Sequence, residues 1–93
     1  MAGSANKSER LGEKLLQIRS ALGLSQSEML RRLRFDESMF YTRISDYERG
    51  KRIPSLPLVL QYARVAGVHM EDLVDDELHL PPKLPGKVKY PRP

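Results

Sequence analysis

Gly23-Leu24-Ser25-Gln26-Ser27-Glu28-Met29-Leu30, followed after a spacer by Ile44-Ser45-Asp46-Tyr47-Glu48-Arg49-Gly50-Lys51-Arg52-Ile53-Pro54, decides the reading of this chain. Gly23 closes an amphipathic stretch, and glycine is the usual residue just past a helix end. Ser25 and Glu28 have the spacing of a capping box, in which each side chain serves a backbone N–H orphaned at a helix start. Met29, Leu30 and Leu33 then lay an apolar face at helical spacing. Gly50 stops a second helix, and Pro54 prevents its resumption. Lys51 and Arg52 come just past that stop, where a helix C-terminus favours cations.

Outward from this stretch the pattern stays helical. A first helix is expected after Ser8 as N-cap, running to about Leu22, with Leu11, Leu15, Ile18 and Leu22 as one stripe. The second covers about Gln26 to Leu33, Arg34 to Met39 connects, and the third covers about Phe40 to Arg49 with Ile44 and Tyr47 inward. Ser55 caps a fourth helix, where Pro57 is tolerated in the first turn because its missing N–H is orphaned there anyway. Leu56, Val59, Tyr62, Ala63 and Ala66 form its expected buried stripe, and Gly67 ends it. A short fifth helix, capped at His69, spans about Met70 to Val74, anchored by Val68 and Leu73. No strand pattern or internal repeat is present. The expected architecture is all-α: an arm over 1–8, a compact five-helix domain over 9–76 and an extended Pro-rich basic tail over 77–93.

Composition narrows the function. The 93 residues include no cysteine, so disulfides, thiol nucleophiles and thiolate metal sites are excluded. No apolar run approaches the ~18 residues of a membrane span, and the first residues lack the apolar core of a signal peptide. A cytoplasmic protein with no membrane association is expected. His69 and His79 lack the spacing of a metal-binding helix. Glu71, Asp72, Asp75, Asp76 and Glu77 lack the alternating ligands and glycine of a calcium loop, and read as a solvated acidic face. No cofactor, metal or catalytic residue is expected, and the chain does not read as an enzyme. The net charge of +4 is unevenly placed. Beyond Pro81 stand Lys83, Lys87, Lys89 and Arg92 with no acid, whereas residues 1–80 are formally balanced. A basic side and an acidic end suit a protein that turns one face to a polyanion.

In their order, these elements resemble the lambda-repressor/Cro type of helix-turn-helix domain, the XRE-like family of regulators. The resemblance runs from about Leu11 to Val74 and is carried by Arg19, Gly23-Leu24-Ser25-Gln26, Tyr47-Glu48-Arg49-Gly50, Pro54-Ser55-Leu56, Tyr62-Ala63 and Gly67-Val68. It implies a sequence-specific, double-stranded DNA-binding transcriptional regulator that acts as a homodimer at the nucleoid and reads the operator major groove with helix 3. It implies that Gln26 meets the DNA backbone and the recognition helix, and that Arg19 and Glu48 form a structural ion pair. Tyr41, Thr42 and Asp46 match positions facing base edges. Arg43 and Ser45 lie beside them toward phosphate, Arg49 joins the same helix surface, and Lys51 and Arg52 match the backbone-gripping loop.

The interval from Gln26 to Glu48 is longer than the family's usual one, so extra residues lie within Arg34 to Met39. Phe35, Met39 and Phe40 are apolar enough to form a small lid or a partner surface, but Phe35 and Phe40 are expected to pack into the core. Asp46 is expected to pair with Arg43 or Arg49 on its own helix, in preference to accepting from cytosine. The rival to the regulator reading is an antitoxin or adaptor that holds a protein partner through the Pro-rich tail. Leu84, Val88 and Tyr90, spaced by basic residues, would let the tail lie along a surface, with the acidic end at Glu71 to Glu77 of its own chain or of a dimer mate as the attractor; contact of its four cations with DNA and a freely solvated tail are the alternatives.

Overall fold

Five helices follow one another in the structure, a computed structural model that describes residues 8–85. They are α1 (Leu11–Leu22), α2 (Gln26–Leu33), α3 (Thr42–Glu48), α4 (Leu56–Ala66) and α5 (Met70–Val74). Among the described residues there is no strand. The expectations placed on the arm over 1–7 and on Lys87, Val88, Lys89, Tyr90 and Arg92 of the tail lie outside the described residues. No described helix is long and apolar enough to cross a membrane.

The core is built from the stripes that the spacing predicts. Leu11, Leu15 and Ile18 of α1 meet Met29, Leu30 and Leu33 of α2, Ile44 and Tyr47 of α3, and Leu58, Val59, Tyr62, Ala63 and Ala66 of α4. Val68, Leu73 and Leu80 close it. One position is corrected: Leu56 is exposed, and Leu58 is buried in its place. Ser55 caps α4 by accepting from the Leu58 N–H, and this puts Leu56 on the outer side of the first turn. Packing also continues past 76, since Leu80 is buried and Leu84 lies against the core.

Helix ends show where local signals held. The capping box at α2 is complete: Glu28 N–H donates to Ser25 Oγ at 3.1 Å, and Ser25 N–H donates to Glu28 Oε1 at 2.7 Å. That second bond holds the Glu28 carboxyl below its ordinary pKa. Gly23, Gly50 and Gly67 all take the left-handed conformation expected past a helix. Arg34 takes it too, with φ 67°. Its N–H donates to Arg31 O, and Phe35 N–H donates to Leu30 O, which is the paired closure of a Schellman motif. The connection from α2 to α3 is thus a second helix stop followed by a turn, in which Ser38 and Met39 N–H both donate to Phe35 O.

The start of α1 corrects the expectation. Ser8 does not cap it; the Ser8 hydroxyl donates to Val74 O at 2.7 Å, and the helix begins at Leu11. The cap comes instead from Asp76, whose two carboxylate oxygens accept from Glu9 and Arg10 N–H at 2.8 and 3.0 Å. These bonds hold its carboxyl below the usual range. In return Lys14, fully buried on α1, donates its ammonium to Asp72 O and Asp75 O at the end of α5, both at 2.8 Å. A cation suits the exposed carbonyls of a helix C-terminus. Burial, with help from Arg10, pushes the Lys14 pKa down. The acidic segment is therefore a set of caps as well as a solvated face. Asp72 accepts from His69 N–H at the start of α5, and Asp75 accepts from Glu77 N–H.

Gly12 sets the distance between α1 and α3. A Cβ at this position would stand 2.6 Å from Tyr47 O and 2.9 Å from Glu48 O. Both are backbone atoms and cannot swing aside. Glycine is unfavourable inside a helix by roughly 1 kcal/mol, and here close backbone approach is the reason for it.

Two glycine exchanges are predicted to act in opposite directions. Gly12→Ala should force α1 and α3 apart and cost about 2 kcal/mol, lowering Tm by on the order of 10 °C. Arg34→Gly should relieve the left-handed backbone and stabilise the fold by about 1 kcal/mol. Thermal unfolding of both variants checks this; a Gly12→Ala protein that melts like the parent would show that the two helices have room to spare.

Candidate nucleic-acid interface

α3 is seven residues long and turns two unlike faces outward and inward. Ile44 and Tyr47 are buried. Thr42, Ser45, Asp46 and Arg49 follow at i, i+3, i+4 and i+7, and so share the opposite face. Thr42 and Arg49 are exposed, while Arg43, Ser45 and Asp46 are half-buried. The helix is shorter than the expected span of 40–49. Phe40 and Tyr41 lie before it, Tyr41 as the N-cap residue, and Arg49 follows it as the C-cap.

One carboxylate sets the position of this helix. Glu48 Oε2 accepts from Arg19 Nε at 2.6 Å, and Oε1 accepts from Arg19 Nη2 at 3.0 Å. Gln26 Nε2 also donates to Oε1 at 3.3 Å. Arg19 spends its remaining arm on Leu24 O at 3.0 Å. The end of α1, the following turn, the start of α2 and the end of α3 are thereby tied to one point. The pair is mostly withdrawn from water, with the Glu48 side chain 5% exposed and that of Arg19 19%. Hydrogen bonding to Glu48 raises the Arg19 pKa further. The Tyr62 hydroxyl is buried, and burial followed by the Glu48 charge raises its pKa, so it stays protonated. Gln26 thus reaches α3 through Glu48.

Asp46 is paired differently from expectation. Its carboxylate holds Arg52 Nε at 3.3 Å, not Arg43 or Arg49. Its carbonyl oxygen accepts from Lys51 N–H at 2.8 Å and from Arg52 N–H at 3.4 Å. The reason is the left-handed Gly50, which folds the basic loop back over the last turn of α3 and brings Arg52 within reach. Asp46 therefore organises the loop, and Arg52 is partly neutralised. Lys51 and Arg49 remain exposed beside it. The insertion splits its aromatic residues: Phe35 packs against the core as expected, whereas Phe40 is 82% exposed.

Sequence reasoning missed Gly12, Lys14 and Asp76, which hold the scaffold behind this face, and ranked an outward Phe40 below a buried one. Gly12 carried a signal, since an interior helical glycine at a buried seam points to close approach. Lys14 and Asp76 carried none, because their partners are backbone groups far away in sequence.

Comparison with known proteins matches residues 10–76 to the family described as helix-turn-helix domain. None of the curated proteins compared matches the chain. Among solved structures, SinR, a master regulator for biofilm formation crystallised in complex with DNA, is similar at 24% identity and a TM-score of 0.58. It covers 70% of this chain and 98% of its own. A hypothetical transcription factor, NHTF, from Neisseria is similar at 22% identity and a TM-score of 0.59, covering 88% of this chain and 90% of its own. These two likenesses concern the fold.

Removing one member of the ion pair tests the geometry. Glu48→Ala leaves Arg19 and Gln26 without their shared acceptor, and should cost on the order of 3 kcal/mol. Chemical denaturation should show a lower midpoint with little change in slope. A midpoint equal to that of the parent would mean that α3 is positioned by packing alone.

Proposed function

We propose that this chain, which belongs to the helix-turn-helix domain family, is a lambda-repressor-like DNA-binding transcriptional regulator that reads a near-palindromic operator as a homodimer, with α3 in the major groove. The observation that carries this reading is the outer face of α3, which is polar, undisturbed by the core and rigidly held by Glu48 at its rear.

Thr42 and Ser45 stand on that face as base-reading side chains, with Tyr41 at its entry. Arg43, Arg49 and Lys51 supply phosphate contacts around it. Gln26 steadies α3 through Glu48 and meets the DNA backbone at the start of α2. Asp46 and Arg52 act as a unit, the carboxylate fixing the loop so that the guanidinium and the Lys51 ammonium meet the same backbone. A single domain of this size reads few base pairs, and two-fold pairing doubles the site. Half-sites are then about one helical turn apart, roughly 34 Å.

Selection of bound duplexes from a random pool tests this directly, and should return inverted half-sites at that spacing. On the selected site, Lys51→Ala should weaken binding to all sequences alike and reduce the salt slope by about 1. Thr42→Ala should change the preferred bases instead. Recovery of single, asymmetric sites bound at full affinity by a monomer would overturn the dimer reading.

A further inference from the structure

The aromatic side chain that the α2–α3 insertion turns outward has no role so far. Phe35 and Met39, from the same insertion, pack against the core. Phe40 does not: it is 82% exposed, and Tyr41 beside it is 51% exposed. The ring is not on a loose loop. Phe40 O accepts from Arg43 N–H at 3.0 Å and Tyr41 O accepts from Ile44 N–H at 2.9 Å, so the backbone of both residues is hydrogen-bonded to the first turn of α3. Phe35, two hydrogen bonds upstream, anchors the other side of the turn through its carbonyl. Phe40 and Tyr41 share a shallow recess of about 220 Å³ with Ser27, Arg31, Asp36 and Met39. That is below the usual volume of a small-molecule pocket, roughly 300–1,000 Å³.

We infer that Phe40 is a specificity-determining residue whose ring packs on thymine 5-methyl groups in the major groove, an assignment that rests on the DNA reading above. Three observations support DNA over a protein as the occupant. The ring extends the end of α3 that, in helix-turn-helix proteins, approaches base edges. Thymine is the base that presents an apolar group there, and aromatic side chains contact it. A phenylalanine and a tyrosine together cover about 300–500 Å², less than the ~800 Å² a partner contributes to a stable protein interface. Arg31, in the same recess, and Arg43, three residues on from Phe40, supply cations beside the ring that suit flanking phosphates. The longer connection thus has a function: it buries one phenylalanine as an anchor and presents the other as a reader.

The experiment uses the full chain and its selected duplex. Each thymine is replaced in turn by deoxyuridine, which removes only the methyl group, and affinities are measured for the parent and for Phe40→Ala. At one thymine in each half-site the replacement should weaken the parent about fourfold, the value of one apolar carbon leaving contact. The same replacement should leave Phe40→Ala unmoved, and Phe40→Leu should retain part of the effect. Because the ring is exposed, both variants should melt like the parent. A deoxyuridine penalty that persists in Phe40→Ala overturns the inference. So does a Phe40→Ala protein with unaltered base preference but a weaker dimer in sedimentation, which would assign the ring to a protein contact. If the parent itself shows no sequence preference, the DNA-reading proposal fails and takes this one with it; preference without a Phe40-dependent methyl effect sinks this one alone.

Discussion

The Glu48 carboxylate is the constraint on which the functional face depends. An α-helix of seven residues has no stability of its own, because nucleation costs more than so few hydrogen bonds return. Its direction must be imposed from outside. Ile44 and Tyr47 bury one face of α3, but burial is non-directional and would tolerate a rotation or a slide. The bidentate bond from Arg19 and the third bond from Gln26 remove that freedom, since a guanidinium fork meets a carboxylate in one plane. Near-exclusion of water makes these bonds worth more, and makes a lone member costly.

Behind this node the scaffold is closed by a reciprocal exchange between α1 and α5. Asp76 accepts from the N–H groups of Glu9 and Arg10 just ahead of α1, and Lys14 of α1 donates to the carbonyls of Asp72 and Asp75 at the end of α5. Each charge sits at the helix end whose dipole it complements. The exchange brings the start of α1 against the end of α5, and Leu80 is drawn into the core beyond it. Gly12, two residues before Lys14 and so on the other side of the helix, lets α1 press onto the backbone of α3 at Tyr47 and Glu48. The same helix thus holds α5 on one side and α3 on the other.

Much of this was readable in the residues, and the division follows physics. Signals that act within a few residues held: the Ser25–Glu28 box, the glycines past α1, α3 and α4, and the apolar stripes. Arg19 with Glu48 was readable only through family resemblance, since nothing local connects residues 29 positions apart. The failures have a common source. Ser8 looked like a cap, but Asp76 outcompeted it from the far end of the domain. Asp46 looked bound to its own helix, but Gly50 folded Arg52 over it. Phe35 and Phe40 looked equivalent, and only the left-handed turn at Arg34 decided which one faces inward. In each case the local preference was satisfied by a partner that topology alone delivers.

The two ends of α3 therefore answer to different parts of the chain. The rear is fixed by Glu48 and by the closed loop from Gly50 to Arg52. The front is fixed by the Schellman stop at Arg34 and by Phe35 plugged against the core. Between them the side chains of Thr42 and Ser45 belong to neither anchor and stand on the outer face of α3. Phe40 stands at the boundary, outside the packing but tied to the helix axis by its carbonyl. A longer α2–α3 connection need not loosen the fold under this arrangement. Its extra residues are ordered by their own hydrogen bonds, and they lengthen the surface that α3 presents without moving the node that orients it.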